Sequence, residues 1–312
     1  MLGAGGVVGG AWLAGALRAL RDVTGWQPQR ADVMLGTSAG AVFAALLGAG
    51  IGPERLFASA AKAPDGDEDL LAELLLDSAY RPPRRWPRLV PGSLGLAYRA
   101  LRERAFVRLL CGLLPRGPVA TTAIEAVVER VVPAGWAPHP ACWVVACDYG
   151  TGRPTVFGRP GAPTPPLARG VAASCAIPGL FTPVGIDGRW YVDGGLRSMS
   201  NADLLEGQRL DVVVALNPMS ARSRARARSP LDRMMAAMRA WSTARIDAEL
   251  ARLRRRGARI LLLEPTAEDL AAMGSRTMDG RRARLVATLA RSTTAAQLRR
   301  PQARQGLAAL TA

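Results

Sequence analysis

The chain of 312 residues has one histidine, His139, and one lysine, Lys62. With so little histidine, a nucleophile has few bases to choose from, and His139 lies between Pro138 and Pro140, flanks that predict an exposed extended connector rather than a catalytic position. Four cysteines, Cys111, Cys142, Cys147 and Cys175, are too few and too irregularly spaced for a disulfide framework or a zinc site. They read as buried thiols in a reducing compartment, and neither a metal nor a cofactor is expected. The first seventeen residues carry no charge, yet they lack the basic start of a secretory signal. No other run of eighteen strongly apolar residues occurs, so no spanning helix is expected. A cytoplasmic protein that can touch membranes peripherally follows.

What is abundant is arginine. Lys+Arg total 41 against 25 Asp+Glu, a formal net charge of +16, which favours anionic partners such as phospholipid surfaces or nucleic acids. The bias towards arginine over lysine is equally what GC-rich coding produces. A hydrophobic fraction of 49% supports a large core, and Gly 33 with Pro 23 suits a fold with many tight turns. The pattern is α/β.

Short apolar runs at Ala31 to Leu35, Trp143 to Cys147, Thr155 to Phe157, Trp190 to Val192, Asp211 to Leu216 and Arg259 to Leu263 read as strands. Leu13, Leu17 and Leu20 recur at helical spacing, as do Met234, Met235, Met238, Trp241 and Ile246, a stripe expected to pack in the core. Leu167 to Cys175 also looks helical. These elements predict a single domain over 1–312, with a mostly parallel central sheet and helices on both faces. Its motif-bearing core spans 1–217, with a lid-like helical insert at about 62–118 and a basic, largely helical C-terminal part at 220–312.

Three segments carry chemistry. Gly36-Thr37-Ser38-Ala39-Gly40 fits G-x-S-x-G between an apolar strand and a buried helix, the setting in which a serine is held on a tight, strained turn. A plain helix N-cap is the competing reading of Ser38. Gly3 to Gly10 is a glycine-rich loop feeding a helix, able to offer backbone N–H groups to an oxyanion. It is no dinucleotide fingerprint, because G-x-G-x-x-G begun at Gly3 meets Val8 at its sixth position. Asp193-Gly194-Gly195 puts a carboxylate at a strand end, where a simple turn is the alternative.

Together and in this order, these segments and Ala173 to Phe181 resemble the patatin-like phospholipase family. The resemblance covers residues 3 to about 217, and more weakly to Met273. It implies a dyad in which Asp193 takes the proton from Ser38 directly, an acyl-enzyme intermediate, and an oxyanion held by Gly5, Gly6 and Val7. Thr37, Ala39, Gly36 and Gly40 would shape the elbow, and Gly194 and Gly195 the aspartate turn. Two features depart from the family pattern: Val8 stands where arginine or lysine is usual, and only Met1 and Leu2 precede the loop where a full strand is usual. The resemblance implies phospholipase or lysophospholipase A activity on lipid or other acyl esters. A soluble carboxylesterase or thioesterase, and an inactive scaffold, stay open. Specific nucleic-acid binding is not expected, because the Arg222 to Arg228 cluster has no aromatic residues interleaved.

Overall fold

The computed structural model describes residues 1–61, 92–103, 105–223 and 228–300. Strands β1 (Met34–Thr37), β2 (Cys142–Asp148), β3 (Pro154–Phe157), β4 (Val184–Ile186) and β5 (Arg189–Asp193) form one part of the sheet. Strands β6 (Val212–Leu216) and β7 (Arg259–Leu263) form the other. Leu2 joins the two parts through parallel bridges to Gly36 and Leu216. Its N–H donates to the Leu35 carbonyl at 2.8 Å and its carbonyl accepts from the Thr37 N–H at 3.1 Å. Met1 and Leu2 thus occupy the middle of the sheet, and the glycine-rich loop springs directly from it.

The sheet is mixed, which corrects the expectation of a mostly parallel one. β1 and β6 run parallel to their partners β2 and β7, but β2–β3, β2–β5 and β4–β5 are antiparallel. The cause is local. Asp187 and Gly188, with φ of 48° and 73°, make a two-residue turn between β4 and β5, and Asp148 caps the turn after β2 by accepting from Gly150 and Thr151. Turns this tight can only join antiparallel neighbours.

Helices cover both faces, as expected. They are α1 (Gly6–Thr24), α2 (Ala39–Gly48), α3 (Pro53–Ala61), α4 (Leu94–Arg102), α5 (Phe106–Leu113), α6 (Thr122–Val131), α7 (Leu167–Cys175), α8 (Pro230–Arg255), α9 (Ala267–Met273) and α10 (Ala283–Leu298). Side chains alternate along each strand. Met34, Val144, Ala146 and Leu216 pack with Trp12 of α1, Phe43 of α2, Val171 of α7 and Val286 of α10. Leu35, Trp143, Val145, Val213 and Ala215 face the other way, onto Ile246, Leu250 and Leu253 of α8. The methionine stripe of α8 is only partly core: Met235 is buried, but Met234 is 56% exposed. Of the proposed insert, residues 62–91 lie outside the described residues, and the described remainder contains α4 and α5. Among the described residues, no helix is long and apolar enough to cross a membrane.

Candidate active site

A single residue separates β1 from α2, and it is Ser38. Its φ of 54° and ψ of −123° lie where non-glycine residues are rarely found, a strain worth about 1–3 kcal/mol. The surroundings hold it there. The Ser38 N–H donates to Ser174 Oγ at 2.9 Å, and that hydroxyl donates to the Val145 carbonyl at 2.6 Å, so α7 and β2 clamp the turn. Gly36 and Gly40 are needed for space: a Cβ on Gly36 would sit 2.4 Å from the Gly40 carbonyl oxygen, and one on Gly40 2.1 Å from that of Leu2.

Asp193 ends β5, which follows β1 along the same edge of β2. Thr37 is paired with Val145, and Asp193 with the next residue, Ala146. This register brings Ser38 and the Asp193 carboxylate to the same end of the sheet, near enough for the serine hydroxyl to favour the charged form of the carboxylate. Oδ1 of Asp193 also accepts from the Gly195 N–H at 2.7 Å. Both side chains are buried, Ser38 at 4% and Asp193 at 5% exposure. Burial pushes the Asp193 pKa up from 3.8 to about 6, while the nearby Ser38 hydroxyl and the Gly195 N–H pull the other way. Such a carboxylate is largely ionised at neutral pH and still basic enough to take a proton.

The glycine-rich loop brings donors to the same end of the sheet. Gly3 donates to the Leu216 carbonyl, Ala4 to Met199 and Val8 to Thr277. Among the described residues, the N–H groups of Gly5, Gly6 and Val7 have no acceptor, which leaves three donors at the N-terminus of α1, where the helix dipole adds positive potential. Ala39, at the first turn of α2, likewise has an unclaimed N–H.

A family model for patatin-like phospholipases matches residues 1–205. The chain belongs to this family. Its matched part contains the loop, the elbow and Asp193, and membership makes the protein a lipid acyl hydrolase at the level of the family.

Several residues of this patatin-like site were not foreseen from the sequence. Asn201, fully buried with φ of 52°, donates from Nδ2 to Thr37 Oγ1 at 3.2 Å, to the Gly194 carbonyl at 3.2 Å and to the Ser198 carbonyl at 2.6 Å. It thereby ties the residue before Ser38 to the residue after Asp193. Behind it, Glu249 of α8 accepts from Ser200 Oγ at 2.6 Å, Ala202 N–H at 2.9 Å and Arg245 Nε at 2.9 Å. Arg239 of α8 donates to the Pro218 carbonyl at 2.7 Å, and Pro218 packs so closely that Cβ atoms added to Gly5 or Gly9 would lie 3.0 and 3.2 Å from it. Arg239 is 9% exposed and forms no ion pair among the described residues, and burial lowers its pKa to about 10. The one legible signal was Asn201 eight residues beyond Asp193, in a run of small polar residues; nothing local distinguishes Glu249 or Arg239 from their neighbours on a basic helix.

Val8 is buried in the core, and its backbone, through Thr277, anchors the loop where a side-chain cation was expected. His139 sits at the other end of the strands: its Nε2 is 2.6 Å from the Ala31 carbonyl, and its Nδ1 accepts from the Ala141 N–H. Ala31 precedes β1 whereas Ser38 follows it, so the imidazole braces a loop. The four cysteines are free thiols, Cys111 only partly buried. Burial pushes Cys142 and Cys147 up to about 12 and raises Cys175, whose sulfur also interacts with Ser38. None is an activated nucleophile. Arg222, the first of the basic cluster, pairs with Asp247 and Glu264, while Arg224 and Arg226 lie outside the described residues.

Proposed function

We propose that the protein cleaves acyl esters of lipids, as a phospholipase or lysophospholipase A, through Ser38 and Asp193. Asp193 accepts the hydroxyl proton as Ser38 Oγ attacks the ester carbonyl, and the carbonyl oxygen gathers negative charge beside the N–H groups of Gly5, Gly6 and Val7. Collapse of the tetrahedral intermediate expels the alcohol or lysolipid, which takes up the proton from Asp193. Water then attacks the acyl-enzyme, again giving its proton to Asp193, and the fatty acid leaves as Ser38 recovers its hydrogen. No metal or cofactor enters this cycle. What supports the reading is the convergence of Ser38, on a turn with φ of 54°, and the buried carboxylate of Asp193, one register position further along β2 and with its pKa raised to about 6. The whole chain acts as one domain, and its arginine surplus favours peripheral contact with anionic membranes.

The test is hydrolysis of a panel of phospholipids and p-nitrophenyl esters, together with fluorophosphonate labelling. Wild type and His139→Ala are expected to turn over at similar rates, and Ser38→Ala and Asp193→Asn at background. Labelling should vanish in Ser38→Ala. An inactive, unlabelled wild type would make the chain a scaffold. Turnover of soluble esters without any phospholipid would make it a carboxylesterase.

A further inference from the structure

Among the described residues, large apolar side chains are exposed mainly in one place. On α4, Leu94, Tyr98 and Leu101 are 72%, 62% and 64% exposed, while Leu96, Ala97 and Ala100 on the opposite side are buried. Spacings of four and three residues put the exposed trio on one stripe. On α5, which packs against α4, Val107, Leu110 and Leu113 are 46%, 47% and 59% exposed, again at helical spacing. Trp190 of β5, 47% exposed and three residues before Asp193, is linked to the end of α5 through Arg116, whose guanidinium lies over its ring. A helix pair that is apolar on its outer as well as its inner face has a binding surface where water should be.

The charge around this surface narrows the partner. Arg99 and Arg102 are exposed on α4 and form no ion pair among the described residues. The Arg102 guanidinium lies 5.9 Å from the centre of the Tyr98 ring, and that of Arg116 5.1 Å from the Trp190 ring. The only acidic side chain described on the pair, Glu103, is bound to Arg108 at 2.6 Å. Apolar stripes with aromatic residues and free arginines at their border match the boundary of an anionic bilayer, where acyl chains lie beneath negative headgroups. The patch also touches the site: α5 packs on the turn after Asp193, and Leu96 packs with Val192, the residue before it.

We propose that the outer face of α4 and α5, with Trp190, docks the protein on anionic lipid bilayers, so that substrate reaches Ser38 from a membrane rather than from solution. The proposal rests on the lipid-hydrolase reading for its purpose but not for its test. The full chain is sedimented with phosphatidylglycerol and with phosphatidylcholine vesicles. Wild type should favour phosphatidylglycerol, and added salt should weaken that preference. The triple change Leu94→Gln, Tyr98→Gln and Leu101→Gln should weaken binding about tenfold or more. Arg99→Gln with Arg102→Gln should lower it about 25-fold on phosphatidylglycerol only, at about fivefold per arginine. Leu285→Gln, which removes an exposed leucine from α10, should bind as wild type.

All three variants should keep wild-type melting and wild-type turnover of a soluble p-nitrophenyl ester. Ser38→Ala should bind vesicles normally; if wild type binds vesicles but hydrolyses nothing, docking stands and the hydrolase reading fails. Equal binding of wild type and the triple variant would overturn the proposal. So would a wild-type dimer that the triple variant dissociates, since the face would then belong to a second copy.

Discussion

Removing the charge of Asp193 should destroy activity and strengthen the fold. A carboxyl group whose pKa rises from 3.8 in the unfolded chain to about 6 in the native state binds more protons folded than unfolded between those values. Stability then falls as pH rises through that window and levels off above it. The difference of about 2 pKa units, at 1.36 kcal/mol each, means that the ionised group costs about 3 kcal/mol at pH 8. An asparagine side chain in its place would be neutral at every pH and could still accept from the Gly195 N–H. Asp193→Asn is therefore expected to exceed wild type by roughly 2–3 kcal/mol at pH 8 and to match it near pH 4. Urea titrations across this range measure the gap. In the same experiments, wild-type kcat/KM should rise with pH about a midpoint near 6, as the base ionises. A variant no more stable than wild type at pH 8 would refute the idea that burial, opposed by its hydrogen bonds, sets this carboxyl group.

Arg239→Met should follow the same logic. Relief of an uncompensated buried cation is expected to raise stability by roughly 1–2 kcal/mol, while kcat drops about tenfold as Pro218 and the loop it supports loosen; lower stability with intact turnover would contradict it. Asn201→Ala should lose about 2–3 kcal/mol of stability. It should also lower kcat more than it changes KM, because Thr37 and Gly194 lose their common tie, and steady-state kinetics on the folded fraction decide the point. Gly40→Ala should fail to give folded protein, since its Cβ would stand 2.1 Å from the Leu2 carbonyl oxygen. Gly25→Ala, with φ of 73° but open space around it, should cost only about 1 kcal/mol by thermal melt.

The elbow, the glycine-rich loop and Asp193 were legible because each is written in a few consecutive residues whose backbone demands are local. β7 and α7 match their sequence patterns residue for residue, and β2, β3, β5 and β6 do so within a residue or two. β4 was not foreseen, because Val184 to Ile186 is three residues long and lies close to Pro183. Strand direction was not legible: an apolar run of four or five residues looks the same whichever way its neighbour runs, and short turns set it only for β2–β3 and β4–β5. Arg239 and Glu249 escaped notice because their partners lie 21 and up to 49 residues away, so nothing next to them in the chain marks them.

Part of the packing beneath the glycine-rich loop and the candidate site comes from outside the stretch that the family model matches. Thr277 holds Val8, Pro218 presses on Gly5 and Gly9, and Glu249 anchors Ser200 and Ala202. A fragment cut after residue 205 would keep Ser38 and Asp193, the proposed reacting pair, yet leave Leu2 without Leu216 on one flank. The recognisable segment thus stops short of the residues that pack against its loop, and under the proposed mechanism substitutions at Pro218, Glu249 or Thr277 are expected to lower turnover although Ser38 and Asp193 lie upstream.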